Sequence, residues 1–396
     1  MPWRTTCLMD ERLQFIREYE SGLFSMTELC DQFQISRKTG YRVLDVYERE
    51  GLDGLRPRSQ RPHTSPRKTP DRIVKALVAC RLQHPHWGPK KLLRYTQRHE
   101  PRLCQPDEWP GASTVARMLA DHELTVRRSA SRRVWKRPRD DGRASTAPNV
   151  VWTADYKGEF RTADGRWCYP LTVMDGFSRY LLGCQGFLGP TADDTRRAFQ
   201  RLFHRYGLPE QIRTDNGTPF AGPGVAGLSP LSVWWMRLGI VVLRIERGHP
   251  EQNGAHERMH RTMKAETTRP PATSLRQQQA RFTVFRREYN QERPHEALDF
   301  DVPAAHYTAS SRQFPSRLCA VEYPGHMEVR SVYPHGDIRV WGRRLFLSEA
   351  LRGERVGLEE VDDGIWDICF GPTRLARLNR RTWALHPRPT EVRGGS

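Results

Sequence analysis

Asp155, Asp215 and Glu257 are the residues best suited to do chemistry. Asp155 closes the run Val150-Val151-Trp152-Thr153-Ala154. Asp215 follows Gln211-Ile212-Arg213-Thr214 and leads into Asn216-Gly217, a pair that tolerates left-handed backbone and so exposes the carboxylate on a sharp turn. Glu257 lies in His249-Pro250-Glu251-Gln252-Asn253-Gly254-Ala255-His256-Glu257-Arg258. Carboxylates from two strand ends and one helix start are hard oxygen ligands, suited to Mg²⁺ with Mn²⁺ able to substitute. Two such ions about 3.5–4 Å apart activate a nucleophile and stabilise a leaving oxygen. In a chain of formal charge +18, the chemistry that fits is phosphoryl transfer on nucleic acid.

Arg258 adjoins the glutamate, and Arg261 and Lys264 follow it at i+4 and i+7 on the same helical face, placed to grip phosphates. Other acids read differently. Asp175, before Gly176, is expected to cap a turn, and Asp193 and Asp194 suit the positive end of a helix. Glu246 ends a strand ahead of a glycine-proline loop. Glu251 is the rival to Glu257; the break at Gly254 favours Glu257 as the residue on the regular helix.

The elements that must position these acids can be read from periodicity. Residues 150–160, 167–175 and 180–187 form an antiparallel meander, and 192–206 is a helix ended by Gly207-Leu208-Pro209. Strand 210–215, helix 231–238, strand 240–245 and helices 253–267 and 275–290 complete a mixed sheet covered on both faces. Ahead of it, Leu13, Phe15, Ile16 and Tyr19 mark a first helix. A second follows a cap at Ser25 or Thr27, and a third is capped by Ser36, with Arg37 and Lys38 at its start. Helix, helix, tight turn, helix with basic residues at the last N-terminus is the helix-turn-helix pattern, the third helix entering the DNA major groove. Helices over 71–83, 88–99 and 112–123, the last capped by Ser113 or Thr114, make a second such unit.

Linkers join these parts. Residues 54–70 are rich in proline and arginine. Residues 127–147 open with Arg127, Arg128, Arg132, Arg133, Lys136 and Arg137 and no acid up to Arg139, a run suited to a phosphate backbone. The expected division is therefore 1–53, a helix-turn-helix domain; 54–70, a basic linker; 71–126, a second helical DNA-binding domain; 127–147, a basic linker; 148–308, the α/β catalytic domain; and 318–385, a small β-barrel. The barrel is expected from short strands punctuated by glycines, with Arg374, Arg377, Arg380 and Arg381 able to face DNA or a second subunit. The eight scattered cysteines form no metal-binding spacing or disulfide framework, and no stretch is apolar enough to span a bilayer. A soluble cytoplasmic protein associated with the nucleoid is expected.

Trp152-Thr153-Ala154-Asp155, Tyr169-Pro170-Leu171-Thr172-Val173-Met174-Asp175, Arg213-Thr214-Asp215-Asn216-Gly217, the stretch from His249 to Arg258 and Tyr289-Asn290-Gln291-Glu292-Arg293-Pro294-His295 together resemble the DDE transposase and retroviral-integrase superfamily. They are most similar to bacterial insertion-sequence transposases with an integrase-type core. The resemblance covers about residues 148–308 and implies a ribonuclease-H-like (RNase H-like) fold. It also implies metal ligands at Asp155, Asp215 and Glu257, and a basic residue at Lys264. The family's usual spacing would instead place the glutamate at Glu251, whereas motif and helix start place it at Glu257, a loop over 220–232 absorbing six extra residues. The zinc-binding N-terminal module of retroviral integrases is absent, its place taken by the helical units.

The resemblance implies a transposase that hydrolyses phosphodiesters at element ends and transfers the 3′-OH into target DNA. Its partners would be double-stranded DNA, as terminal inverted repeats and target, and its own copies in a homodimer or larger multimer. An inactive relic serving as a DNA-binding regulator is the alternative from a different class, and a plain ribonuclease H or resolvase-like nuclease is a third.

Overall fold

The structure is a computed structural model and describes residues 8–56, 68–125, 145–245 and 253–387. It divides into two compact units, Met1–Lys68 and Thr69–Ser396.

The first unit has three helices, α1 (Leu8–Glu20), α2 (Met26–Gln32) and α3 (Arg37–Glu50). Ser25 begins α2 through a reciprocal pair of bonds: its hydroxyl accepts from the Glu28 amide while the Glu28 carboxylate accepts from the Ser25 amide. Ser36 caps α3 by accepting from the Thr39 amide at 3.2 Å. Phe15, Ile16, Leu29, Cys30 and Leu44 fill the core. A side chain at Gly40 would meet Cys30 Sγ at 2.8 Å, so glycine lets α3 lie against α2. The sequence reading is corrected at residue 54. Gly54 and Leu55 belong to a 3₁₀ turn after α3, and Leu55 is 1% exposed in the same core, so the linker starts later.

The second unit opens with α4 (Asp71–Gln83), α5 (Pro89–His99) and α6 (Ala112–Asp121) around Ile73, Leu77, Trp87, Leu92, Val115 and Leu119. Helix α6 starts at Gly111 without a side-chain cap, so Ser113 and Thr114 do not cap it: they already lie within its first turn. Helix α5 is tied to the following domain by an ion pair between Arg98 and Asp301.

The central sheet contains β1 (Val151–Tyr156), β2 (Phe160–Arg161), β3 (Trp167–Asp175), β4 (Leu181–Phe187), β5 (Gln211–Thr214) and β6 (Val241–Arg244). Its main order is β4-β3-β1-β5-β6, with β2 beside the start of β3. Pairs β4/β3 and β3/β1 are antiparallel, and β1/β5 and β5/β6 are parallel. Side chains alternate across a strand, so Trp152 and Ala154 face one way and Thr153 and Asp155 the other. The first face is covered by α7 (Ala192–Tyr206) and α8 (Pro230–Arg237) through Phe199, Phe203, Trp234 and Trp235. The second is covered by α9 (Gly254–Thr267) and α10 (Leu275–Gln291) through Met259, Met263, Phe282 and Phe285. Asp155 therefore faces α9.

The C-terminal strands are β7 (Glu328–Ser331), β8 (Asp337–Val340), β9 (Arg343–Phe346), β10 (Arg355–Asp362), β11 (Ile365–Phe370), β12 (Thr373–Asn379) and β13 (Ala384–Pro387). They form an antiparallel sheet ordered β13-β12-β11-β10-β7 and a separate β8-β9 hairpin. The antiparallel strands match the expectation; a closed barrel is not seen, because among the described residues no ladder joins β13 to β7. The sheet packs on the central domain through Leu228, Val233 and Met236. No described helix is long and apolar enough to cross a membrane.

Candidate active site

The β1/β5 register sets the first two acids side by side. Ala154 pairs with Thr214, so Asp155 and Asp215 are the next residues along two adjacent parallel strands. Asp155 stays in the β1/β3 ladder opposite Thr172, whereas Asp215 leaves the sheet and takes the Gly217 amide on its own carboxylate at 3.2 Å, an Asx turn. Arg244 of β6 holds this loop: its guanidinium donates to Thr214 Oγ1 at 2.9 Å, to the Asp215 carbonyl at 3.3 Å and to the Phe220 carbonyl at 2.5 Å. Burial pushes the Arg244 pKa down to about 10.

Glu257 lies in the first turn of α9 and is exposed. Asn253 occupies the N-cap position but does not cap; its Nδ2 donates to Asp155 Oδ2 at 3.1 Å. Burial raises the Asp155 carboxyl to about 7, and the charges of Asp215 and, more weakly, Glu257 push the same way. The Asn253 bond and Lys157 oppose the rise without cancelling it. Asp215 and Glu257 thus lie near enough to Asp155 for their charges to act on its carboxyl, although burial has the larger effect.

Behind Asp155 lies a buried polar cluster that the sequence reading missed. His256 and His260, one turn apart on α9, each approach Thr172 Oγ1 through Nε2 at 2.6 Å. His256 Nδ1 is 2.9 Å from Thr153 Oγ1, and His260 Nδ1 is 3.8 Å from Asp155 Oδ2. Burial pushes both imidazoles below their usual range, His256 to about 3. Asp155, His256 and His260 offer ligand atoms within 4.8 Å of one another. The signal was present in the sequence as two histidines at i, i+4, the first inside the glutamate motif and the second two residues past its end. Asn253 and Arg244 carried none, because their work depends on which strand end they reach.

The remaining candidates divide. Arg258, Arg261 and Lys264 are exposed along α9, and Arg37 and Lys38 are exposed at the start of α3. Arg127, Arg128, Arg132, Arg133, Lys136 and Arg137 lie outside the described residues, as do Glu246 and Glu251. Asp175 is a buried turn cap, accepting from the Asn149 and Ser178 amides at 2.8 Å and the Ser178 hydroxyl at 2.6 Å. Asp194 closes the α7 cap with Thr191. The C-terminal arginines are largely engaged internally: Arg374 and Arg377 with buried Asp367, Arg381 with Asp363, and Arg380 over the Trp341 ring.

Models of the integrase core domain match residues 145–250 and 238–303. Helix-turn-helix and homeodomain-like models match 11–63 and 39–119, and the IS481 family transposase C-terminal domain matches 327–384. The insertion element IS407 uncharacterized 31.7 kDa protein of Burkholderia multivorans is 28% identical over 191 residues, 48% of this chain and 66% of the relative. The insertion element IS476 uncharacterized 39.2 kDa protein of Xanthomonas euvesicatoria is 30% identical over 224 residues, 55% of this chain and 61% of the relative. The chain thus spans slightly less than two thirds of each of these relatives. Among solved structures, the HTLV-2 integrase catalytic core domain in complex with magnesium aligns at 17% identity over 41% of this chain and 99% of its own, with a TM-score of 0.33. The chain thus carries matches to integrase-core, helix-turn-helix and IS481 transposase C-terminal domain models, and is similar to proteins of bacterial insertion elements.

Proposed function

We propose that the chain is a DDE-type polynucleotidyl transferase that cleaves DNA at the ends of an insertion element and joins the ends to target DNA. The observation that carries this reading is that Asp155 and Asp215 stand on neighbouring strand ends, with Glu257 close enough to act on the Asp155 carboxyl that burial raises most. These oxygens suit Mg²⁺, with Mn²⁺ as a substitute and two ions as the working number. Bound there, the cations would favour ionisation of the attacking hydroxyl and offset charge on the leaving oxygen. The chain's own residues do the positioning. Asn253 fixes the Asp155 carboxylate, Arg244 fixes the Asp215 loop, and Arg258, Arg261 and Lys264 offer cationic contacts to the DNA backbone beside the acids. Water first hydrolyses the phosphodiester at the element end and leaves a 3′-OH. That 3′-OH then attacks the phosphorus of a target phosphodiester in line and displaces the target strand's own 3′-oxygen, which leaves as a 3′-OH, with no covalent protein intermediate.

The helix-turn-helix domains support recognition of terminal inverted repeats, with Arg37 and Lys38 at the start of α3, and the basic run from Arg127 to Arg137 supports backbone contact. The reaction needs two ends, so the working form is a dimer or larger assembly on DNA, acting at the nucleoid in the cytoplasm. Of the C-terminal strands we infer a barrel-like fold.

A supercoiled plasmid incubated with Mg²⁺ and cognate terminal repeats tests the reading. Wild-type protein should join ends to plasmid, and Asp155→Asn and Asp215→Asn should each lower joining by at least about a thousandfold. Full joining by either variant would refute its assignment. Wild-type protein that binds the repeats but neither joins them nor responds to metal would favour the regulator alternative.

A further inference from the structure

The hydroxyl of Thr172 lies at the centre of the buried cluster and, with that of Thr153, fixes the tautomers around it. Each has one proton and two lone pairs. The Thr153 hydroxyl gives its proton to the Met174 carbonyl at 3.2 Å, so His256 Nδ1, 2.9 Å away, donates to Thr153 Oγ1. His256 Nε2 is then an acceptor and takes the Thr172 proton at 2.6 Å, with the Asp155 carbonyl a longer-range competitor at 3.1 Å. His260 Nε2, also at 2.6 Å, must therefore donate into the hydroxyl's lone pairs, which leaves its Nδ1 a bare acceptor. No donor to that nitrogen is found among the described residues. It faces Asp155 Oδ2 at 3.8 Å, too far for a hydrogen bond and with lone pairs on both atoms.

We propose that His260 Nδ1 is a nitrogen ligand to the cation held by Asp155, giving that side of the centre a mixed nitrogen–oxygen donor set. Two ligands each about 2.0–2.2 Å from one ion stand roughly 3–4 Å apart, so the observed separation suits a shared ion. The imidazole is also held in the orientation that ligation needs, since its other nitrogen is locked on Thr172 and its side chain is 5% exposed. Nitrogen donors favour Mn²⁺ and later transition ions over Mg²⁺, so the site should discriminate between Mn²⁺ and Mg²⁺ more than an all-carboxylate site does.

This inference rests on the cation reading of the three acids, and the test separates the two. Full-length protein carrying one equivalent of Mn²⁺ is examined by pulsed electron paramagnetic resonance, with affinities measured by calorimetry. We expect the nitrogen modulation of a directly bound imidazole. It should vanish in His260→Gln, with Mn²⁺ affinity lowered about tenfold and Mg²⁺ affinity changed less than about twofold. Mn²⁺ that binds with oxygen donors alone in the wild type overturns the inference and leaves the three-acid reading standing, and that spectrum needs no variant. Nitrogen modulation that persists in His260→Gln also overturns it. If His260→Gln does not fold, His260→Asn provides the same comparison. No Mn²⁺ binding at all overturns both readings.

Discussion

At the residue scale, Asp155 shows most clearly how the fold prepares for charge. Its carboxyl is raised from an ordinary value near 3.8 to about 7, so the metal-free fold binds its proton more tightly than the unfolded chain does. The sign follows: this group's contribution to stability is greatest below about pH 4, falls as pH rises toward 7 and is level above that. A cation competes with the same proton. Apparent Mn²⁺ affinity should therefore rise about tenfold per pH unit up to 7 and then flatten. Asp155→Asn should make the metal-free protein more stable at pH 8 by roughly 1–3 kcal/mol. Calorimetry and denaturant titration at pH 6 and pH 8 check both. Affinity that does not vary with pH would show that Asp155 is not where the cation binds.

At the element scale, parallel strands deliver the acids and β6 fixes them. Arg244 spreads one planar guanidinium over Thr214, Asp215, Phe220 and Gly227. Lysine keeps the charge but lacks that fork. Arg244→Lys should lower the unfolding free energy of the second unit by about 2 kcal/mol, read by denaturant titration; a loss below about 0.5 kcal/mol would show that the loop holds itself. The elements themselves were legible in the sequence, because α7, β3 and β12 are bounded by strong periodicity and by turn residues such as Gly207. Less legible were contacts made at a distance. Gly54 and Leu55 read as linker because their apolar partners lie back on α1 and α3. The 220–232 loop looked like a passive insertion. In the structure the Val225 amide donates to the Leu347 carbonyl at 2.8 Å and Leu228 enters the C-terminal core, so the loop is also a seat for that domain. Asp155 and Asp215 were visible because strand ends announce themselves. Their partner Asn253 was not, and the i, i+4 spacing of His256 and His260 marked a shared helix face without showing that the β1/β3 register would bring Thr153 and Thr172 against it.

At the scale of the whole molecule, helical domains precede the core, and the proposed chemistry joins two DNA ends. If one subunit's helical domains hold one end while its core acts on the other, two defects should complement. Mixing a DNA-binding-deficient Arg37→Ala/Lys38→Ala protein with Asp215→Asn protein should restore end cleavage that neither shows alone. No recovery in confirmed mixed assemblies would mean that each subunit cuts the end it holds.

The central claim, that β1, β5 and α9 assemble one three-acid centre, turns on its third member. The direct measurement is single-turnover end cleavage by Glu257→Gln and Glu251→Gln on DNA that both variants bind as the wild type does. We expect Glu257→Gln to lose at least about a hundredfold in rate, because a ligand charge is removed while the phosphate contacts remain, and Glu251→Gln to stay within a few-fold of wild type. Loss in Glu251→Gln with retention in Glu257→Gln would contradict the account and move the third ligand into the segment before α9.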